Sequence, residues 1–261
     1  EREREREKFK KQEYWDITAK IQKSNLKNQN EGIFEAKLFK INGEALDKFA
    51  IKTETDAEKI LAELNDGVWK VEAVEKKETK RNAYPPFTTS TLQQTASRKL
   101  GFSAKRTMML AQQLYEGADI DGDRTGLITY MRTDSLNLSQ DSLAAAGEFI
   151  KSNFGEKYLE TKTFKTKTKG AQEAHEAIRP TNPALAPDQV KNYLDRNQWR
   201  LYDLIWRRFT ATQMAEALFD ATTVDIDAAS KNPDSSQYLF RANGQTLKFE
   251  CFLAVWPTKT E

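Results

Sequence analysis

The sequence contains almost no cysteine or histidine, with one residue of each, Cys251 and His175. A single cysteine excludes an intrachain disulfide and metal sites built from several cysteines, and a single histidine excludes the common zinc arrangements. The chain also has no apolar run approaching the roughly 20 residues that span a bilayer, and its opening EREREREKFK is not a signal peptide. We therefore expect a soluble protein of a reducing, cytoplasmic compartment, with no membrane partner.

The chain also lacks a strong excess of charge of either sign. Its 261 residues include 41 lysines and arginines against 39 aspartates and glutamates. This balance argues neither for nor against a polyanionic partner, because the distribution of charge matters more than its sum. The length exceeds the usual size of a single domain and predicts one large domain or two modest ones.

The apolar pattern changes twice along the chain, from β-like to helical and back. Alternating segments predict strands before residue 85 and again after Leu218, with one early helix that we expect Asp56 to start. The proline-marked break NAYPPF separates the first part from the helical one. The sequences that predict strands are YWDITAKIQ, IFEAKLFKI, VWKVEAVEKKETK, FDATTVDIDA, YLFRANG with a turn, and LKFECFLAVW. The economical interpretation is a helical domain inserted into a discontinuous β domain.

Two helices open the central part. TTSTLQQTASRKLG and AKRTMMLAQQLYEG each carry an apolar stripe, and only three residues, 101–103, separate them. This spacing is typical of a helix-turn-helix. Four basic residues crowd the turn, and they form either a solvated surface or a phosphate contact: Arg98, Lys99, Lys105 and Arg106.

The remainder of the central part is read as loops and helices. GADIDGDRTG is a polar loop that does not fit the EF-hand calcium pattern. Ser139 is expected to cap a helix, and RNQWRLYDLIWRRFTATQM is a strongly amphipathic helix. The lysine-rich TKTFKTKTKG is either a phosphate contact or a solubilising loop.

GLITYMRTDS, residues 126–135, joins a β-branched run to a turn-forming one. In a strand, Ile128, Tyr130 and Arg132 would share one face. The pair is either an amphipathic tyrosine beside a solvated arginine or a nucleophile beside its anion stabiliser. A tyrosine has a pKa of about 10, so a nearby arginine would be needed to favour the phenolate. Attack on a phosphodiester would then give a phosphotyrosine that can be resealed without ATP.

The only histidine lies in QEAHEAIRPT. This is not a zinc-protease motif, because Arg179 occupies the position where a second histidine is required. As a helix ending before Pro180, the segment would stack His175 and Arg179 at i,i+4. His175 is either a structural residue or part of a functional cluster with the arginine and glutamate around it.

Three segments together resemble bacterial type IA DNA topoisomerases: GLITYMRTDS, EAHEAIRPT and PPFTTSTLQQTASRKLGFSAKRTMMLAQQLYEG. The resemblance runs nearly end to end. It implies an α+β fold, in which a discontinuous β-rich arch (gate) domain carries an inserted, mostly helical domain of winged-helix or helix-turn-helix type. On this basis we expect residues 1–13 to be the tail of an upstream helix, 14–85 plus 216–261 the arch, and 86–215 the tyrosine domain.

The resemblance also implies roles for residues. Tyr130 is expected to be the nucleophile that forms a transient 5′-phosphotyrosyl link to one DNA strand. Arg132 is similar to the arginine that contacts the scissile phosphate, and His175 to a histidine that interacts with DNA nearby. Arg179 and the four basic residues of the turn are further DNA-contact candidates, and Asp134 either orients its neighbours or acts as a cap.

Members of this family carry a Toprim domain that binds Mg²⁺, and a C-terminal region, neither of which this chain resembles. We therefore expect a central fragment that binds no metal itself and is silent or nearly so alone. Its partners would be single-stranded DNA and those missing domains, in a monomeric bacterial protein of the cytoplasm and nucleoid. Two alternatives remain: a non-catalytic DNA-binding and hinge module, and a tyrosine recombinase, which the central position of Tyr130 disfavours.

Overall fold

The computed structural model describes residues 2–22, 32–65, 67–164, 175–229 and 236–257. Most of the lysine-rich segment 161–170 lies outside this part of the chain. The helices and strands are, in order, α1 (Arg2–Lys8), β1 (Thr18–Gln22), β2 (Ile33–Ile41), β3 (Glu44–Ala45), α2 (Glu54–Asn65), β4 (Val68–Arg81), α3 (Thr89–Leu100), α4 (Ala104–Glu116), β5 (Ala118–Ile120), β6 (Asp123–Thr125), α5 (Gln140–Phe154), α6 (Pro187–Val190), α7 (Arg196–Thr212), β7 (Ala217–Ala229) and β8 (Gln237–Phe249). The α+β class that the sequence predicted is confirmed.

The chain folds into two compact units, each built from two chain segments. The first comprises Glu1–Thr79 and Phe219–Thr246, and the second comprises Lys80–Leu218 and Leu247–Glu261. The sequence-based division placed all of 216–261 with the β-rich part, whereas the structure groups the last segment with the helical unit. The physical reason is aromatic packing, since the Phe249 ring lies 5.0 Å from that of Tyr158.

The first unit contains a sheet of strand order β1-β2-β8-β7-β4, with β3 also paired to β2. The β1–β2 and β2–β8 pairs are antiparallel. One face of α2 joins the core of this sheet, because apolar residues at positions 57, 60 and 64 fall on the same side of a helix. The buried cluster consists of Ile17, Ala36, Ile51, Ala57, Ile60, Leu64, Ile226, Ala228, Tyr238, Phe240 and Ala242.

Two sequence-based expectations for this unit were wrong. The early helix is capped by Thr53 rather than started by Asp56: the Asp56 amide donates to Thr53 Oγ1 at 3.2 Å, and that hydroxyl donates to the Asp56 carboxylate at 2.7 Å. The turn expected in YLFRANG is absent, since β8 continues through Gly244 without the positive φ that such a turn needs. β8 pairs with β2 at residues 238–241, has β7 as its other neighbour, and continues as one strand through Gly244.

The second unit begins with the expected helix-turn-helix. Thr88 caps α3 through a reciprocal pair of hydrogen bonds with Thr91, and Gly101 ends the helix in the left-handed conformation at φ 72°. Ser103 caps α4 by accepting the Arg106 amide. The three-residue connection that the sequence predicted is confirmed.

A short hairpin, β5–β6, follows α4 where the sequence analysis expected a polar loop. Its turn is Asp121-Gly122, and both residues have positive φ, 53° and 92°. Asp-Gly is a favoured pair for a two-residue hairpin turn, so the signal was present in the sequence. The short strands, of three residues each, gave no alternation by which to recognise it.

Packing of α5 and α7 completes the helical core. Ser139 caps α5 as predicted, and Asp195 caps α7 by accepting two backbone amides. The amphipathic stripe expected on α7 is confirmed, with Leu201, Ile205 and Phe209 fully buried. The C-terminal CFLA, predicted to continue a strand, is a 3-10 helix whose Cys251 and Phe252 are buried. Within the described part of the chain, no helix is both long and apolar enough to cross a membrane.

Gly117, between α4 and the hairpin, offers a test of this local geometry. Its φ is +100°, and a Cβ there would lie 2.7 Å from the Thr125 carbonyl oxygen. We expect Gly117→Ala to lower the free energy of unfolding by about 2 kcal/mol, measured by urea denaturation. Gly147→Ala in α5 is the control, because its nearest Cβ contact is an ordinary 3.6 Å. Equal stability of Gly117→Ala and wild type would contradict the strained geometry.

Candidate active site

The segment 126–135 does not form the expected strand: it bends at residues 131–132, and its only ladder contact among the described residues is a single bridge between Ile128 and Pro180. Burial nevertheless alternates from residue 130 to residue 135. Tyr130 and Arg132 therefore do share the solvent side, as predicted, whereas Ile128 is buried. Hydrogen bonds to neighbouring segments fix the backbone that carries the exposed Tyr130 and Arg132.

Thr89, the first residue of α3, fixes this segment on one side. Its hydroxyl donates to the Met131 carbonyl at 2.8 Å and accepts the Thr133 amide at 2.9 Å. Its own amide donates to the Thr133 carbonyl at 2.8 Å. Three hydrogen bonds from one residue thus tie the backbone on both sides of Arg132 to the start of a helix.

Thr129 fixes the other side. Its amide donates to the Arg179 carbonyl at 2.9 Å, and its hydroxyl donates to the Ala177 carbonyl at 2.7 Å. Tyr130 consequently stands between two threonine anchors, Thr89 and Thr129. Neither threonine is recognisable from the sequence, because a threonine that binds a backbone segment about 45 positions away leaves no local pattern.

The Tyr130 side chain is 40% exposed, and two aromatic neighbours fix its ring. Its centroid lies 5.4 Å from that of Tyr115 and 6.0 Å from that of His175, both in edge-to-face geometry. The phenol is thus accessible while its ring is held in place. Tyr115, at the end of α4 and itself 42% exposed, was not foreseen as part of the site.

His175 reaches Tyr130 by a different route from the one predicted. The helix expected over EAHEAI is not present at residues 175–180, which instead form isolated bridges at Ile178 and Pro180. Their backbone groups bond to distant segments instead: Ala177 donates to the Asn137 carbonyl at 2.9 Å, and Ile178 to that of Phe87 at 2.8 Å. His175 and Arg179 therefore do not stack at helical spacing.

Arg132 and His175 both line an open cleft of about 450 Å³ at the first turn of α3. Its other lining residues are Thr88, Thr89, Ser90, Gln93, Thr133 and Asp134. The N-terminus of a helix favours anions because its free amides and dipole present positive charge there. A cleft that adds a guanidinium and an imidazole to a helix N-terminus is suited to a phosphodiester, with Tyr130 beside it.

Arg179 is occupied by contacts within the protein. Its Nε and Nη2 donate to the Glu176 carboxylate, and its Nη1 donates to the Pro180 carbonyl at 2.9 Å. The side chain is only 11% exposed. This geometry favours a structural role over the DNA contact that the sequence suggested.

The four basic residues of the turn lie at the other end of α3. Lys99 Nζ is 4.6 Å from the Trp256 ring centroid, and Arg98 Nε donates to a carbonyl of its own helix. The Arg106 guanidinium stacks on Phe102, and Lys105 is exposed. A 12-residue helix rises about 18 Å, so these residues are not part of the Tyr130 cleft.

Metal ligands do not cluster in this part of the molecule. Across residues 2–22, 32–65, 67–164, 175–229 and 236–257, no group of three or more histidine, cysteine or carboxylate side chains could hold a metal ion. In GADIDGDRTG, the Asp119 carboxylate accepts the Gly122 amide and that of Asp121 accepts the Tyr193 hydroxyl. These described side chains therefore do not fit a Mg²⁺ site.

Comparison with known proteins identifies the family of this chain. The family model described as DNA topoisomerase matches residues 1–261. DNA topoisomerase 1 of Rickettsia felis is 48% identical over 98% of this chain and 32% of its own length, and that of Rickettsia bellii is 46% identical over 98% and 31%. The chain thus spans about a third of the length of these relatives.

A solved structure, full-length topoisomerase I from Thermotoga maritima, matches the fold. It superimposes with a TM-score of 0.69 at 34% sequence identity, covering 87% of this chain and 34% of that one. The family match, over residues 1–261, includes the segments that carry the exposed tyrosine and the cleft beside it. From the full-length family match and these relatives, we conclude that the chain belongs to the DNA topoisomerase family.

Proposed function

We propose that this chain carries the nucleophile of a type IA DNA topoisomerase, and that the nucleophile is Tyr130. The observation that supports this most strongly is an exposed phenol, fixed by two rings, beside a cleft that combines Arg132, His175 and a helix N-terminus. Nucleophile and anion-stabilising groups are thus held within one small region, as phosphoryl transfer requires.

In the proposed reaction, Tyr130 Oη attacks the phosphorus of one DNA strand. A tyrosine–phosphate bond forms, the bond from phosphorus to the 3′ oxygen breaks, and the leaving hydroxyl takes up a proton as the phenol loses one. Arg132 and the α3 N-terminus stabilise the negative charge that builds on the phosphoryl oxygens. His175 contacts the ring of Tyr130 and lines the same cleft, which places it to bind the adjoining strand.

The energy of the broken phosphodiester is kept in the phosphotyrosine. Attack by the freed 3′ hydroxyl therefore reverses the step without ATP. Between the two steps, the β-rich unit would serve as the gate through which a second strand passes. The intact protein would thereby relax negatively supercoiled DNA, as a monomer in the bacterial cytoplasm and nucleoid.

In the intact protein, a Toprim domain of the kind that the family resemblance implies would bind Mg²⁺. That ion would supply charge neutralisation near the DNA phosphates. The chain's own residues contribute the nucleophile, the arginine and the histidine, and none of their roles above requires a metal ligand from this chain.

The proposal is tested with end-labelled single-stranded DNA and Mg²⁺, adding the chain with and without a separately produced Toprim-containing part. We expect a denaturant-resistant protein–DNA adduct only when both parts are present, with the DNA attached to the peptide that contains Tyr130. Peptide mass spectrometry after nuclease digestion identifies that peptide. No adduct with both parts folded would reject the nucleophile proposal and favour a non-catalytic DNA-binding and hinge module.

A further inference from the structure

Arg208, on α7, is a buried cation enclosed by aromatic rings. Its side chain is only 7% exposed. The guanidinium carbon lies 4.4 Å from the ring centroid of Phe87, 4.5 Å from that of Trp256 and 5.0 Å from that of Tyr84. Its Nε and Nη1 are buried and have no hydrogen-bond partner within the described part of the chain.

The charge around Arg208 is not balanced. Lys99 lies over the ring of Trp256, one of the three aromatic residues that contact Arg208. Arg98 is close enough to act on Arg208 electrostatically. Among the described residues, no carboxylate forms an ion pair with any of these three cations. Burial and the charge of Arg98 lower the pKa of Arg208 to about 10, and burial and Arg208 lower the pKa of Lys99.

Tyr84 gives this cluster an exposed aromatic surface. Its ring packs on the Arg208 guanidinium and yet the residue is 64% exposed. Contact with a buried arginine holds the ring in place, so a planar group can stack on it at little cost in side-chain entropy. An aromatic face beside unpaired cations is the combination that binds single-stranded nucleic acid.

We propose that Tyr84, Lys99 and Arg98 bind single-stranded DNA, with one base stacked on Tyr84 and neighbouring phosphates against Lys99 and Arg98. Arg208 acts as a positioning residue that holds Tyr84. Arg98 and Lys99 lie at the C-terminal end of α3 and the Tyr130 cleft lies at its first turn, so these two cations would contact phosphates outside that cleft. The inference rests on the proposed function only in taking DNA as the ligand.

The test uses the Tyr130→Phe chain, so that binding is measured without chemistry. Fluorescence anisotropy follows a labelled oligothymidylate across a series of salt concentrations. We expect Tyr84→Leu to weaken binding about tenfold with an unchanged salt slope. Lys99→Gln should lower the slope of log K against log salt by about 0.7, because one phosphate contact is lost.

Matched controls separate this site from general surface effects. Tyr193→Leu removes another exposed tyrosine, and Lys191→Gln removes another lysine that lies over a tryptophan, Trp199, at 5.4 Å. Both should bind as the parent does. An abasic oligomer should bind the Tyr84→Leu variant and its parent equally, because it offers phosphates without bases.

Wild-type affinity in both Tyr84→Leu and Lys99→Gln, with unaltered thermal unfolding, would overturn the proposal. An equal loss of affinity in the Tyr193→Leu and Lys191→Gln controls would also overturn it. So would a Tyr84→Leu variant whose affinity for the abasic oligomer falls as much as its affinity for oligothymidylate. These outcomes do not bear on Tyr130, since the adduct experiment measures a covalent product and this one measures reversible binding.

Discussion

Replacing Tyr130 with phenylalanine is expected to reduce the DNA adduct by a factor of about 10³ or more, the scale on which loss of a nucleophile acts. The variant keeps the ring that packs against Tyr115 and His175 and removes only the hydroxyl. The fold should therefore be unaffected, and thermal unfolding should match the wild type. The measurement is the yield of denaturant-resistant adduct when the Toprim-containing part is present.

Tyr115→Phe is the control that makes this result specific. Tyr115 is as exposed as Tyr130, and their ring centroids are only 5.4 Å apart, so each presents a phenol to the same region. Tyr115→Phe should retain adduct formation, since Tyr130 and not Tyr115 lies two residues from Arg132 on the same anchored segment. If Tyr130→Phe retained the adduct, or if Tyr115→Phe lost it, the assignment of the nucleophile to Tyr130 would be wrong.

Much of the fold could be predicted from local sequence because its signals are local. The helices α3 and α4 carry their caps and their terminating glycines in sequence, and α7 carries a long apolar stripe. Some errors occurred where the tertiary structure overrode a local signal. Gly244 illustrates this, since Asn-Gly predicts a turn, but β8 continues through it as one strand with β7 as its neighbour.

The candidate site was predictable in its residues more than in its geometry. Tyr130 and Arg132 were found from the alternation of side chains, which survives although the segment has no continuous strand partner among the described residues. The anchoring by Thr89 and Thr129 depends on hydrogen bonds across more than 40 positions, so no sequence window contains it. For the same reason the helical pattern around His175 was misleading, because backbone groups of residues 177–179 bond to Phe87, Thr129 and Asn137 instead.

Arg179 shows how geometry can reassign a residue. The motif places an arginine next to the only histidine, which suggested a phosphate contact. In the structure its guanidinium binds Glu176, whose other carboxylate oxygen accepts the Ser139 amide at 2.7 Å, next to α5. The pair therefore links the segment after His175 to the start of a helix.

Arg179→Met is accordingly expected to lower the free energy of unfolding by about 2–3 kcal/mol. Loss of the arginine leaves the half-buried Glu176 carboxylate without its partner, and an unpaired buried charge is costly. The double variant Glu176→Gln/Arg179→Met should recover part of this loss, because no charge then remains unpaired. Urea denaturation measures all three proteins.

A second readout separates this structural role from DNA contact. If Arg179 binds no phosphate, the folded Arg179→Met variant keeps the wild-type salt slope for oligothymidylate, whereas loss of a phosphate contact would lower that slope by about 0.7. Lys151→Met is the control: both side chains of its ion pair with Glu156 are exposed, so its loss should cost at most about 1 kcal/mol. A stable Arg179→Met variant with a reduced slope would restore the DNA-contact interpretation. The expected combination, reduced stability with an unchanged slope, would mean that this arginine supports the cleft by fixing its walls and not by touching the substrate.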